Sequence, residues 1–213
     1  MFLWCFSVLG IVISFCIFDR VSVITLVASL IGVTSLLFNA KGNPIGQGLT
    51  VIFSLLYGII SYSFSYYGEM ITYLGMTMPI AILALISWLK NPYNGRRAEV
   101  RVNIIGKGEV ALTAVVTAGF YFILKYFGTA NIVPSTVSVT TSFLAVYLTF
   151  RRSPFFAMAY AANDVVLIIL WTLASMENAR YISVVVCFAA FLINDIYGFI
   201  NWQRMKTRQG ACA

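Results

Sequence analysis

Residues 161–171 read AANDVVLIILW, and residues 191–202 read FLINDIYGFINW. Each run holds a single charged side chain, Asp164 or Asp195, immediately after an asparagine, Asn163 or Asn194. A carboxylate at the centre of a bilayer costs about 2.5–3.5 kcal/mol on insertion scales, and such residues face a bundle interior or a wet cavity. Read this way, the two stretches are membrane helices that share a buried polar site. They make the protein an all-α integral membrane protein.

The rest of the chain agrees. Of its 213 residues 61% are hydrophobic and only 10% are charged, against about 25% charged in soluble domains. The apolar runs are continuous rather than alternating, which selects helices over a β-barrel. A crossing needs about 20 apolar residues. Eight spans are expected, at 1–18, 21–38, 48–66, 70–89, 110–127, 137–150, 154–176 and 181–202. The sixth reads better from Pro134, because proline suits a first helical turn. The first run lacks a basic leader and a cleavage site and is followed by Asp19-Arg20, so it reads as a span and not a removed signal peptide.

With eight spans, eleven of the fourteen Lys and Arg residues fall on one side. The other side holds Arg20, Lys125 and Arg180. The positive-inside rule then puts the eleven, and both termini, in the cytoplasm of a bacterial inner membrane. The net charge of +7 is accounted for by topology, and no clustered soluble patch suggests nucleic acid. There is no histidine, and no Cys-x-x-Cys spacing occurs, so neither a metal nor another cofactor is expected.

Two halves of the chain echo each other. Thr34-Ser35-Leu36-Leu37 parallels Thr141-Ser142-Phe143-Leu144. Basic turns ending in Pro44 and Pro154 follow, and each half closes on Ile-x-Trp-x-basic, at Ile86 to Lys90 and Ile200 to Arg204. An odd helix between two three-helix units gives them the same orientation, a parallel repeat. The expected organisation is a leading helix (1–20), a first repeat (21–90), a loop and connector helix (91–133), a second repeat (134–204) and a tail (205–213). The loop at 90–109 reads as a plain connector, and Trp88 and Trp202 as anchors at the lipid interface.

Tyr160, Asn163, Asp164, Leu167 and Trp171 share one helical stripe; Asn194, Tyr197, Gly198 and Asn201 share another, bordered by Asp195. Gln47, Ser54, Tyr57 and Ser61 line a comparable face of the first repeat. At 1.5 Å per residue both Asn-Asp pairs lie roughly 10–14 Å from the basic side, the depth of transporter sites at repeat interfaces. The simpler reading of Ser54, Ser61, Thr141 and Ser142 is helix–helix glue. Amides and phenols suit hydroxyl and carboxamide groups; aromatic faces and carboxylates suit a flat ring, above all a cationic one. No basic group sits at this depth to receive a phosphate.

These same segments, with the tail Arg204-Met205-Lys206-Thr207-Arg208-Gln209 and the stretch from Asn39 through Gln47 to Tyr57, resemble the PnuC-type vitamin transporters over about residues 24–209. The resemblance implies a three-plus-one-plus-three arrangement like the SWEET sugar transporters, with an extra leading helix. It also implies a homotrimer and facilitated diffusion of nicotinamide riboside, drawn inward by a cytoplasmic kinase. The family's Asn-x-x-Tyr motif matches Asn194 and Tyr197, and its early amide position matches Gln47. Its Trp-x-x-Trp motif is not met: Trp171 has Ile168 before it and Ala174 after it. Thiamine, also a flat cation, or another vitamin or nucleoside is the alternative cargo of a carrier of the same fold. The expected binding residues are Asn194, Tyr197, Asn163, Asp164, Trp171, Gln47, Tyr57, Asp195 and Asn201. An intramembrane aspartyl enzyme would need the two acids in contact and resembles a Gly-x-Gly-Asp pattern absent here; a purely structural subunit would bind no small molecule. The expectation is a transporter and not an enzyme.

Overall fold

The computed structural model describes residues 2–63, 66–103 and 132–210, with 116, 118, 119, 121, 122, 125 and 126 between them. The connector span expected at 110–127 lies largely outside these. Seven long helices run through the described residues: α1 (Phe2–Asp19), α2 (Val23–Ala40), α3 (Ile45–Ser63), α4 (Tyr67–Lys90), α5 (Ile132–Phe150), α6 (Phe156–Glu177) and α7 (Ile182–Gly210). All but α5 meet the length and apolarity of a membrane crossing, and α5 is a shorter apolar helix. Between α4 and α5 lies a small hairpin, β1 (Pro92–Tyr93) and β2 (Arg96–Val100).

The helices are sorted inside out relative to a soluble bundle. On α3, Ile52, Leu55 and Ile59 are exposed while Gln47, Ser54, Tyr57 and Ser61 are buried. The apolar stripe meets lipid, and the polar stripe meets the other helices. Small residues allow close approach: a Cβ on Gly198 of α7 would lie only 3.6 Å from the Ala40 Cβ and 3.8 Å from the Ala157 Cβ, the small-residue packing of membrane helices. The leading helix α1 is held by Trp4 Nε1 donating to Thr34 Oγ1 (3.3 Å) and by Asn194 Nδ2 donating to Ser7 Oγ (2.8 Å).

Helices α2–α4 and α5–α7 run in the same alternating sense, and their first turns match. At the basic end α2 closes with Gly42 at φ +67° and α5 with Arg152 at φ +58°. In each the next residue donates back to close the helix, Asn43 N to Phe38 O and Ser153 N to Leu148 O, both at 2.9 Å. This is the Schellman closure, which needs a left-handed residue. The third helices then cross over. Trp88 Nε1 of α4 donates to Thr149 O of α5 (2.9 Å), and Trp202 Nε1 of α7 donates to Asn39 O of α2 (2.8 Å). The two indoles touch, with ring centroids 5.4 Å apart. Both are fully buried, which corrects their reading as lipid-interface anchors: each indole N–H gives a helix-end carbonyl a second donor besides the backbone N–H of the closing turn.

Over its described part, residues 90–103, the segment expected as a plain connector does more. Asn94-Gly95, both at positive φ, forms the turn that a two-residue hairpin favours. Beyond it the chain is stitched to both matching turns, by Val100 N to Gly42 O and Asn103 N to Arg152 O, each 3.0 Å. Residues 205–210 of the expected tail continue α7 to Gly210. There Gln209 accepts from Val102 N (2.7 Å) and donates to Glu99 Oε1 and Val100 O (both 3.0 Å), while Arg208 pairs with Glu99.

Candidate functional site

At the heart of the bundle is a cavity of about 40 Å³. Asp164 and Asn163 enter it from α6, Asp195 from α7, Asn39 and Ser35 from α2, Thr50 from α3, and Tyr73 and Thr77 from α4. Tyr160 and the rings of Phe53, Phe188 and Phe191 complete the wall. The α4 contribution depends on a local defect. Pro79 has no N–H to bond the carbonyl four residues back, and its ring crowds that carbonyl. The turn before it, Tyr73–Thr77, widens into a π-helix, a distortion frequent at functional sites. Its first and last residues are the two that reach the cavity.

The site holds carboxyls, amides, hydroxyls and aromatic rings, and among the described lining residues no Lys or Arg. Asp164 and Asp195 line the same small cavity. No N–H or O–H among the described residues reaches Asp164 Oδ2, which is fully buried. Asn163, by contrast, is saturated on its oxygen: Ser138, Thr141 and Ser142 of α5 donate to Oδ1 at 3.3, 2.9 and 3.1 Å. These three hydroxyls are glue between α5 and α6, and their effect is to fix the amide beside the acid.

The cavity is one end of a file. A wide vestibule of about 240 Å³ opens at the end of the bundle away from the basic turns, lined by Asp19, Ser22, Asn178, Arg180 and Tyr181 among others. Below it a gap of about 10 Å³ shares Thr25, Ile60 and Val184 with the vestibule, and Phe53 and Phe188 with the acid cavity. Tyr57 flanks this neck. It stacks on Phe53 (5.6 Å) and meets Phe188 edge-on (5.5 Å). Toward the basic end the buried group of Trp88, Trp202 and Phe156 closes the bundle, Phe156 lying 4.9 Å from Trp202.

Of the nine residues expected in the site, Asn163, Asp164 and Asp195 line the acid cavity, and Tyr57 lines the neck. Trp171 stands behind Tyr57, its Nε1 donating to the phenol oxygen at 2.6 Å. Gln47 is one residue removed: its Nε2 donates to Asn39 Oδ1 (2.8 Å), and Asn39 faces the cavity. Asn194 turns to α1 and to Ala190 O, and Asn201 donates to Ala40 O (2.6 Å). Tyr197 is 42% exposed on the outside of α7. A helix turns 100° per residue, so residues 194, 197, 198 and 201 span about 100° of α7: Asn194 and Asn201 at the centre meet α1 and α2, Gly198 at one edge meets α2 and α6, and Tyr197 at the other edge emerges outside. Asn39, Tyr73, Tyr160 and the three phenylalanines were not selected from sequence. Asn39 lies within the stretch that carries the family resemblance and Tyr160 on the Asp164 stripe; the phenylalanines carried no signal among seventeen. Glu69, 3% exposed at the start of α4 with neither carboxyl oxygen hydrogen-bonded among the described residues, was placed in a loop.

A helical bundle with a polar cavity at mid-depth and a vestibule at one end defines the class: a multi-pass membrane carrier. The family model described as nicotinamide mononucleotide transporter matches residues 22–204. A Neisseria mucosa protein described as nicotinamide riboside transporter PnuC is 27% identical over 213 residues, covering 96% of this chain and 81% of that one. One with the same description from Haemophilus influenzae is 20% identical over 191 residues, covering 87% and 81%. The crystal structure of the vitamin B3 transporter PnuC matches with a TM-score of 0.84 at 25% identity, over 98% of this chain and 93% of that one. The chain belongs to the nicotinamide mononucleotide transporter family, in its PnuC-type branch, and is a transporter and not an enzyme.

Proposed function

We propose that the protein carries nicotinamide riboside across the bacterial inner membrane by facilitated diffusion, with phosphorylation in the cytoplasm drawing the substrate inward. The observation that carries this reading is the acid cavity, which has acceptors and aromatic rings for a hydroxylated cationic ring and, among its described lining residues, no Lys or Arg for a phosphate. The basic end and both termini face the cytoplasm, so the vestibule faces outward. The substrate passes the Phe53–Tyr57–Phe188 neck and settles between Asp164 and Asp195, where the carboxyls balance the pyridinium charge. Asn163 and Asn39 take the carboxamide and ribose hydroxyls; Tyr73 and Tyr160 flank the ring. Gln47 orients Asn39, and Trp171 orients Tyr57. Asn194 and Asn201 tie the moving helices, and Tyr197 lies outside the path. The cavity is smaller than the roughly 300–1,000 Å³ of ordinary ligand pockets, so binding opens it, by rocking of the two repeats.

The matching turns and crossed indole bonds support a SWEET-like three-plus-one-plus-three repeat, with 110–127 as the connector, α1 as an extra leading helix and eight crossings in all. We further assign a homotrimer in lipid, with no nucleic-acid partner. Thiamine is the second reading. The one tryptophan of the expected pair, Trp171, is engaged by Tyr57 rather than turned into the cavity, which leaves the ring's identity to the acids. Uptake by cells that require external nicotinamide riboside tests the assignment. Asp164→Asn and Asn39→Ala are expected to cut uptake at least tenfold; parental uptake by both would overturn the site. Direct binding of nicotinamide riboside and thiamine side by side separates the cargoes.

A further inference from the structure

The three cavities of the file differ in the room they offer. The acid cavity, at about 40 Å³, has space for a few water molecules at about 10–15 Å³ each. The neck, at about 10 Å³, has space for no more than one. The vestibule, at about 240 Å³, approaches the roughly 300–1,000 Å³ of ordinary ligand pockets. Its wall carries an acid that the path to the inner cavity leaves unused. Asp19, at the end of α1, is only 6% exposed. Its Oδ1 accepts from Ser22 N (3.3 Å) and closes the turn into α2; no N–H or O–H among the described residues reaches its Oδ2. Ser22 and Thr25 share a hydrogen bond beside it (2.6 Å). The turn between α6 and α7 adds Asn178, Arg180 and Tyr181. Asn178 accepts from Arg180 N through Oδ1 (3.1 Å), and its Nδ2 has no acceptor among the described residues. Asp19 and Arg180 are the charged groups of the described lining. Arg180 is exposed, where water and salt screen it, whereas the Asp19 carboxylate is buried, where screening is weak. The field in the vestibule therefore favours a cation.

We propose that the vestibule is an outer capture site for an organic cation bearing hydroxyl or carboxamide groups, with Asp19 as its counter-charge. The cationic ring lies between Asp19 Oδ2 and the Tyr181 ring. The hydroxyls of Ser22 and Thr25 and the free amide N–H of Asn178 take the polar groups of the ligand. The ligand waits here until rocking of the repeats opens the neck, then leaves Asp19 for the inner acids. Capture concentrates the ligand at the neck and leaves the direction of net flow to its gradient. The site rests on the transport reading for the identity of its ligand, and adds a binding step ahead of the neck.

Protection of a thiol in the vestibule wall tests this in the full chain. Ser63→Cys, combined with Cys5→Ser and Cys16→Ser, is labelled from outside by a membrane-impermeant thiol reagent, with and without nicotinamide riboside. Adding Asp164→Asn disables the acid cavity, so protection that survives it belongs to the vestibule. Saturating riboside should slow labelling about tenfold with and without Asp164→Asn, and the uncharged dihydropyridine form of the same riboside should need about ten times the concentration. Asp19→Asn, its folding checked by its melting temperature, should lose the protection. In uptake it should raise KM about tenfold with the maximal rate within about twofold, because Asp19 is left behind before the neck opens and contributes binding alone. Asp19→Glu should restore both. Loss of protection on adding Asp164→Asn, while the parent still takes up riboside, would overturn the capture site and leave the transport reading standing. Equal protection by the charged and uncharged forms would overturn Asp19 as counter-charge. No uptake by the parent would overturn the transport reading and the capture site with it.

Discussion

At the scale of single residues, the site is built by saturating some polar groups so that others are left exposed to the cavity. Asn163 accepts three hydroxyls; Tyr57 accepts the Trp171 indole. Polar contacts between membrane helices average about 0.6 kcal/mol, with a maximum near 1.7. Asn163→Ala removes an acceptor from Ser138 and Ser142, while Thr141 keeps the Val137 and Ser138 carbonyls, and is expected to cost about 1–2 kcal/mol, seen as a lower melting temperature in detergent. Trp171→Phe keeps the ring but removes the donor to Tyr57. It should lower the melting temperature less, while slowing uptake by freeing the phenol at the neck.

Elements carry the next layer. The two helix-closing turns have the same geometry with different residues, glycine at 42 and arginine at 152. A left-handed non-glycine residue costs about 1–2 kcal/mol. The Arg152 guanidinium carries a second cost: burial, then Arg101 and Arg151, hold it below its ordinary basicity, and two of its nitrogens are buried with no acceptor among the described residues. Arg152→Gly should therefore stabilise the protein by about 1 kcal/mol. Gly42→Ala should destabilise it by more, since its Cβ would also lie 2.7 Å from the Met205 Cε. Paired thermal melts check both signs. The strap at 96–103 is held by Gln209 through three hydrogen bonds. Gln209→Ala should raise amide hydrogen exchange at Val100 and Val102 while leaving α2 and α6 protected, which mass spectrometry resolves.

Across the whole molecule the path is asymmetric. The vestibule and neck lead to the acids from one end, and buried indoles close the other. A cysteine at Ser63, in the vestibule wall, should react with a membrane-impermeant thiol reagent added outside intact cells, whereas one at Asn39 should not. Equal labelling of both would contradict a closed neck. Because the indoles of Trp88 and Trp202 touch, Trp88→Phe and Trp202→Phe should be non-additive, with a coupling of about 0.5–3 kcal/mol in a double-mutant cycle.

Long-range patterning told the sequence reader most. Continuous apolar runs, the sidedness of Lys and Arg, and acids set within those runs define a helical membrane bundle with a buried polar site, because lipid tolerates no other arrangement of backbone and charge. Asn163, Asp164 and Asp195 were legible for the same reason: a carboxyl in hydrocarbon has few places to be. Rotation about each helix axis was not legible. Whether Asn194 meets the cavity or α1, whether Tyr197 faces in or out, and whether Trp88 and Trp202 meet lipid or a neighbouring carbonyl turn on a few tens of degrees. Those angles are set by how small residues such as Gly198 let helices approach. Glu69 and the phenylalanine neck belong to the same class of fact. Their chemistry is common in the sequence, and only the packing of the helices gives it a position.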